Sequence, residues 1–217
     1  MKNWAFVSDF DGTISNQDFY WLVIEKYFPE GRDLFKQWKA QELLDIDFLK
    51  TVFSSIQQNE EQIIKDILSI PIDDYVPTFV KNVQEQNGDF FVLSAGTDYY
   101  IYHLLEKHGI KNVKVFSNEG FFQEKNIHLN IDETHRHFSK RYGIDKSKVI
   151  KELKKEYDTV YFIGDSEPDS HPAHFADLTF AKNGLQELLH EKKIPFVPVE
   201  TFKEVEDYLI TKGVLSS

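Results

Sequence analysis

The chain has 217 residues, 41% hydrophobic and 28% charged, which suits one soluble globular domain or one domain with a sizeable insertion. With 25 basic against 36 acidic residues, a net charge of −11 and no basic run, it argues against nucleic acid as a partner, and an anionic ligand would need local cations or a metal to overcome the field. Cysteine is absent, which removes disulfide and thiol chemistry; no stretch reaches the ~18 consecutive apolar residues of a membrane span and no signal-peptide pattern opens the chain, so the expectation is a cytoplasmic protein with no membrane partner.

WAFVS (4–8) is short and apolar and predicts a buried strand, followed by turn chemistry in DFDGT. Apolar residues at helical spacing in DFYWLVIEKYF predict a helix over 18–28, with Ser15 or Asn16 as its cap. Residues 30–70 read as one amphipathic helix after another with no strand signal, and 74–87 as a further helix. The pattern then changes. DFFVLSAGT (89–97) predicts a strand, YYIYHLLEKHG (99–109) a helix closed by Gly109, VKVFSN a strand, and GFFQEKNIHLN a hairpin turning at QEKN. A helix over 146–156 feeds the strand TVYFIGDS (159–166). A short helix from 172, the strand LTFA, a helix over 184–192, the strand PFVPV and a helix over 201–212 complete the chain. This alternation predicts an α/β, doubly wound, Rossmann-like parallel sheet. The helical block 15–75 interrupts the first crossover and reads as an inserted cap, which leaves 1–14 and 76–217 as the core.

Ligands of open parallel sheets bind at the carboxyl ends of the strands. Polar clusters fall at such ends here: Asp9, Asp11 and Thr13; Ser94, Ala95 and Gly96; and Gly164, Asp165 and Ser166 with Asp169. Clustered carboxylates repel unless a cation neutralises them, and Mg²⁺ with oxygen ligands is the natural solution. A phosphate group would find positive charge at Lys146, hydroxyls at Thr13 and Ser94, and backbone N–H groups near Gly12, Ala95 and Gly96. One carboxylate can attack phosphorus while a second moves the proton.

These motifs resemble the haloacid dehalogenase (HAD) superfamily of phosphohydrolases. DFDGT (9–13) matches its first motif, Ser94 the second and GDSEPD (164–169) the fourth. KRYGIDKSK offers Lys140, Lys146 and Lys148 for the third; Lys146 starts the helix that feeds the last catalytic strand, with Lys148 as its rival. The resemblance implies Asp9 as nucleophile and Asp11 as general acid/base. It implies Mg²⁺ held by the Asp9 carboxylate, the Asp11 backbone carbonyl and Asp165, with Asp169 binding directly or standing behind. LSAGTDYYIYHLL, the hairpin and GDSEPD are further similar to the phosphoserine-phosphatase-like branch, and within it to the methionine-salvage phosphatases.

Two departures bear on substrate. The salvage enzymes carry a cysteine-rich segment where ETHRHFSKRYGID stands here. The phosphoserine enzymes use a cap acid and a cap arginine; Asp18 can serve as the acid, but Arg32 is the only arginine in 15–75. The implied function is Mg²⁺-dependent hydrolysis of a small phosphorylated metabolite through an aspartyl phosphate, with the methionine-salvage enol phosphate as candidate and phosphoserine as alternative. Asp18 and Tyr99 are candidate substrate contacts, and a monomer or homodimer is expected. A receiver-like or non-catalytic phosphate-binding domain is the rival of another class; receivers lack a large insertion after the first strand.

Overall fold

The computed structural model describes residues 2–216. Strand β1 (Lys2–Ser8) is followed by helices α1 (Phe19–Lys26), α2 (Gly31–Lys39), α3 (Asp45–Phe53) and α4 (Glu60–Ile67). Then come α5 (Val76–Glu85), β2 (Gly88–Thr97), α6 (Asp98–Lys107), β3 (Lys114–Gln123) and β4 (Asn126–Asn130). The short strands β5 (Phe138–Ser139) and β6 (Gly143–Ile144) pair with each other in a separate two-stranded sheet. The chain continues through α7 (Lys146–Leu153), β7 (Tyr157–Gly164), 3₁₀ turns at Glu167–Ser170 and Pro172–His174, β8 (Leu178–Ala181), α8 (Asn183–Glu191), β9 (Val197–Pro198) and α9 (Phe202–Thr211). The main sheet has seven strands in the order β4-β3-β2-β1-β7-β8-β9, all parallel except β4. The expected α/β sheet is the architecture found. Among the described residues no helix is long and apolar enough to cross a membrane.

The two-residue period of β1 explains why the sheet is covered on both faces. Trp4 and Phe6 join an apolar cluster with Phe90 and Val92 of β2, Phe79 and Val83 of α5, Leu104 of α6 and Phe202 and Leu209 of α9. Ala5 and Val7 join the opposite cluster with Phe91, Leu93, Phe162 and Val149, Ile150 and Leu153 of α7. Phe6 meets Phe79 edge-on at 4.8 Å and stacks on Phe90 at 5.7 Å. Burying each such ring stabilises the fold by roughly 1.5–3 kcal/mol. The apolar stripes of the inserted block, including Phe19, Leu22, Phe48, Val52, Ile63 and Ile67, belong to the first cluster, so this block shares its core with one face of the sheet.

Two strands differ from the sequence reading. β3 runs unbroken through what reads as a strand and then a hairpin arm, pairing first with β2 and then with β4. Gly120 permits the crossing, because a Cβ there would lie 1.9 Å from Thr97 Oγ1. The turn sits at Glu124 and Lys125, both left-handed (φ 49° and 66°), as a two-residue hairpin of this hand requires. PFVPV shrinks to Val197–Pro198, since its prolines offer no N–H to a ladder.

What matters for the site is register. Ser8 lies level with Val92 of β2 and Ile163 of β7. The carboxyl ends of these three strands, and the polar clusters that follow them, are therefore neighbours.

Candidate active site

Beyond Ser8 the backbone leaves the strand in a tight turn. The N–H groups of Thr13, Ile14 and Ser15 all point to the Phe10 carbonyl, and Phe10 and Ile14 are buried as anchors. Gly12 sits at φ +78°, and a Cβ on it would lie 2.3 Å from Asp165 Oδ2. Gly12→Ala should therefore lower the melting temperature by roughly 2–4 °C through backbone strain of about 1 kcal/mol and, by displacing Asp165, cut turnover. Unchanged melting and kinetics would show that the turn accommodates a side chain.

Asp9 is buried at the centre. Its Oδ1 accepts from Lys146 Nζ at 2.6 Å and its Oδ2 from Thr13 Oγ1 at 3.0 Å. Burial and the nearby Asp169 charge push its carboxyl up to about 7, against the lowering pull of Lys146. Lys146 also donates to Asp169 Oδ1 at 2.6 Å. Burial opposes the lysine's charge, but Asp169 and Asp9 outweigh it and hold its pKa above the ordinary value. The geometry thus separates the lysine candidates. Asp145 caps α7 through the N–H groups of Ser147 and Lys148, which turns Lys146 inward. Lys148 reaches the Phe138 carbonyl and Lys140 is exposed.

Asp169 is fully buried and does two things. Its Oδ2 accepts the N–H groups of Asp165 and Ser166 at 3.0 and 3.2 Å, closing a capping box with Ser166 over the first 3₁₀ turn, while its Oδ1 holds Lys146. Asp165 is different: its Oδ1 is buried with no hydrogen-bond partner among the described residues. Burial first, then the charges of Asp9 and Asp169, raise its carboxyl to about 9.

Asp11 faces away from this group. Its Oδ2 accepts from the Tyr100 hydroxyl and from Ser94 Oγ at 3.3 Å, and Phe19 N–H approaches Oδ1 at 3.4 Å. Burial, followed by the Asp18 charge, raises it to about 7. Ser94 Oγ in turn accepts the Gly96 N–H at 3.0 Å, and the Ala95 carbonyl accepts from Asn118. Asp9, Asp11, Ser94, Ala95, Gly96, Lys146 and Asp165 line a cavity of about 280 Å³.

The far wall of that cavity comes from the inserted block: Asp18, Tyr20, Trp38, Lys39, Leu49 and Phe53. Asp18 stands at the α1 N-cap position without making a side-chain cap bond, and burial raises its carboxyl while a hydrogen bond with Tyr20 and the Lys39 charge oppose this. Arg141, from the segment between β5 and β6, also lines the cavity and pairs with Asp45 at 2.7 Å. Tyr99 requires correction: its hydroxyl pairs with Glu60 Oε1 at 2.8 Å and it does not line the cavity, whereas its neighbour Tyr100 does. Lys39 and Arg141 are absent from the sequence-derived site, where Tyr100 stands only as the alternative to Tyr99 and Trp38 reads as cap core. Lys39 and Arg141 carry no sequence signal beyond their charge, which does not say which way a side chain points.

One oxygen each from Asp9, Asp165 and Asp169 lie within 4.8 Å of one another. Opposite ligands of an octahedral Mg²⁺ stand about 4.2 Å apart. An all-oxygen donor set, a buried Oδ1 on Asp165 without a partner among the described residues, and carboxyl groups pushed upward by burial and by one another's charge fit a divalent cation. The Asp11 carboxylate lies outside this cluster.

A parallel sheet with acids, a serine and a lysine at its carboxyl edge, under an inserted helical wall, is the arrangement of HAD-fold phosphatases. Solved structures bear out the fold. A phosphoserine phosphatase with a phospho-aspartyl intermediate analogue superposes with a TM-score of 0.70 over 96% of this chain and 99% of its own, at 17% identity. A HAD family hydrolase from Salmonella enterica subsp. enterica serovar Typhi gives 0.75 over 96% and 70%, at 12% identity. The family model described as "Putative Phosphatase" matches residues 5–195. The chain is 32% identical over 205 residues, 93% of each protein, to the 2-hydroxy-3-keto-5-methylthiopentenyl-1-phosphate phosphatases of Bacillus thuringiensis subsp. konkukian (strain 97-27) and Bacillus cereus (strain 03BB102). The chain belongs to this phosphatase family and is a phosphoric monoester hydrolase.

Proposed function

We propose that the protein hydrolyses a small-metabolite phosphate ester through an aspartyl phosphate on Asp9, and that its substrate is the methionine-salvage enol phosphate. The observation that carries the reaction is the pairing of two unlike aspartates at one strand end. Asp9 is clamped by Lys146 and Thr13, while Asp11 is held apart by hydroxyls at the cavity wall. Asp9 oxygen forms the bond to phosphorus, the bond from phosphorus to the ester oxygen breaks, and the Asp11 proton passes to that oxygen. Water then attacks the acyl phosphate, giving its proton to Asp11, and Asp9 is restored with release of phosphate. Lys146, Thr13, Ser94 and the N–H groups around Gly12, Ala95 and Gly96 would hold the phosphoryl oxygens. Asp9, Asp165 and the Asp11 backbone carbonyl would hold Mg²⁺, with Asp169 fixing Lys146 and the 165–166 backbone. The bound ion would supply charge to offset that of the phosphoryl group and the carboxylates.

The 15–75 block would act as a cap over the core of 1–14 and 76–217, excluding water and reading the substrate. Its contribution to the cavity sets Tyr20, Trp38, Leu49 and Phe53 beside Asp18, Lys39, Gln41 and Asp45. The cations there already have partners. Arg141 is paired with Asp45, Lys39 lies over the Trp38 ring at 4.4 Å, and Arg32, outside the cavity, lies over Trp21 at 5.3 Å. This supports an uncharged, apolar tail over the carboxylate of phosphoserine, as do the names of the relatives at 32% identity.

The test is phosphate release from a panel holding the enol phosphate, phosphoserine and sugar phosphates, with Mg²⁺ and with chelator. Release that needs Mg²⁺ and favours the enol phosphate by tenfold or more (about 1.4 kcal/mol) is expected. Preference for phosphoserine would replace the substrate assignment, and release undiminished by chelator would remove the metal.

A further inference from the structure

α6 presents two adjacent tyrosines, and the helix sends them different ways. Tyr99 points outward to Glu60, whereas Tyr100 is only 2% exposed and its hydroxyl donates to Asp11 Oδ2. A buried tyrosine hydroxyl needs some acceptor. Here the surroundings are shaped around that particular one. A Cβ on Gly96 would lie 1.7 Å from the Tyr100 oxygen and 3.0 Å from Asp11 Oδ2, so the strand end lacks a side chain where the two meet. The same carboxylate oxygen takes Ser94 Oγ at 3.3 Å, and the other faces the N–H of Phe19, the first residue of α1. Neither of these longer contacts substitutes for the tyrosine in fixing direction.

The ring has a second set of neighbours. Its centroid lies 5.0 Å from Phe19, 5.9 Å from Phe10 and 6.5 Å from Phe53. Phe19 and Phe53 belong to α1 and α3 of the inserted block, and Phe10 lies between the two catalytic aspartates. One side chain therefore touches the proposed acid/base at its tip and the inserted helices along its ring.

We propose that Tyr100 is a positioning residue for Asp11: its hydroxyl sets the direction of the carboxylate, and its ring ties that direction to the seating of α1 and α3. This rests on Asp11 being the acid that protonates the leaving oxygen. As the ester P–O bond breaks, its electron pair passes to that oxygen, and an alkoxide needs the Asp11 proton far more than a nitrophenolate does. A misdirected Asp11 should hence penalise alkyl esters selectively.

The experiment compares Tyr100→Phe, Asp11→Asn and wild type on p-nitrophenyl phosphate and on the best alkyl or enol ester of the panel, reading kcat/KM and KM separately, with melting curves for each protein. For Tyr100→Phe, kcat/KM on the alkyl or enol ester should fall by about tenfold or more and on the nitrophenyl ester by less than about threefold, with KM little changed. Phe53→Leu should shift the same ratio in the same direction. An equal fall on both esters, or none, while Asp11→Asn remains selective, overturns the proposal and leaves the reaction standing. A ratio unmoved by Phe53→Leu overturns the link to the inserted helices. If Asp11→Asn is itself unselective, the acid role falls, and the proposal with it.

Discussion

Asp9→Asn is expected to remove turnover, by on the order of 10⁴-fold or more, without unfolding the protein. The amide keeps the shape of the carboxyl but lacks the anionic oxygen that would bond to phosphorus. It also suits its surroundings. With its oxygen toward Lys146 Nζ and its NH₂ toward Thr13 Oγ1, both contacts now made by Asp9 are preserved, since the threonine hydroxyl can accept as well as donate. The substitution further removes one charge from a buried group in which Asp9 and Asp169 both push Asp165 upward. The melting temperature of the metal-free variant should thus equal or exceed that of wild type at pH 8. Phosphate release and thermal melting on the same preparations check this. Near-wild-type release would place the nucleophile elsewhere, and a large loss of melting temperature would make lost activity uninformative.

What the sequence reveals and what it withholds follow different physics. Strands such as WAFVS and TVYFIGDS are legible because a sheet covered on both faces demands an unbroken apolar run, and acids at the carboxyl ends of such strands point to where a ligand would bind. Asp9, Asp165, Lys146 and Ser94 meet because parallel register brings three strand ends level, which the alternation of strand and helix already implies. The choice of Lys146 over Lys148 rests only on the expected helix start at 146. It depends on where α7 begins, and Asp145 decides that by capping it. Tyr99 against Tyr100 is the same problem: one step is about 100° of helix, and sequence does not define the phase. The Arg141–Asp45 pair joins residues 96 positions apart through a segment with barely any regular structure. Hence the sequence yields the end of the cavity proposed to take the phosphate and misses most of the wall that would read the rest of the substrate.

Lys146→Met should be the most destabilising of the single changes at the site, and its cost should depend on pH. The lysine neutralises two buried acids, Asp9 and Asp169, each at 2.6 Å. Removing one partner from such a cluster costs about 3–5 kcal/mol, roughly 10 °C of melting temperature for a chain of this size. The direction with pH follows from Asp9. Its carboxyl has an ordinary value of 3.8 and is held near 7 in the folded, metal-free protein, so across that window the native state binds more protons than the unfolded one. The Asp9 contribution to stability therefore falls as pH rises from about 4 towards 7, and flattens above. Asp11 has the same window, and that of Asp165 extends to about 9. Lys146 is what lowers the Asp9 value, so its loss moves the upper edge of that window higher. At pH 5 Asp9 is mostly protonated and has little need of the lysine, whereas at pH 8, above its wild-type value of about 7, the missing charge is felt. The melting difference between Lys146→Met and wild type should be large at pH 8 and less than half as large at pH 5. Saturating Mg²⁺ should raise the variant's own melting temperature at pH 8, since a ligand at 100 times its Kd adds about 2.7 kcal/mol. Activity should fall by about 10²–10³-fold, as when a charged donor to a transition state is removed. A melting difference that is the same at both pH values would mean that Lys146 stabilises through the packing of its stem, and that the acids at the strand ends are neutralised by something other than its charge.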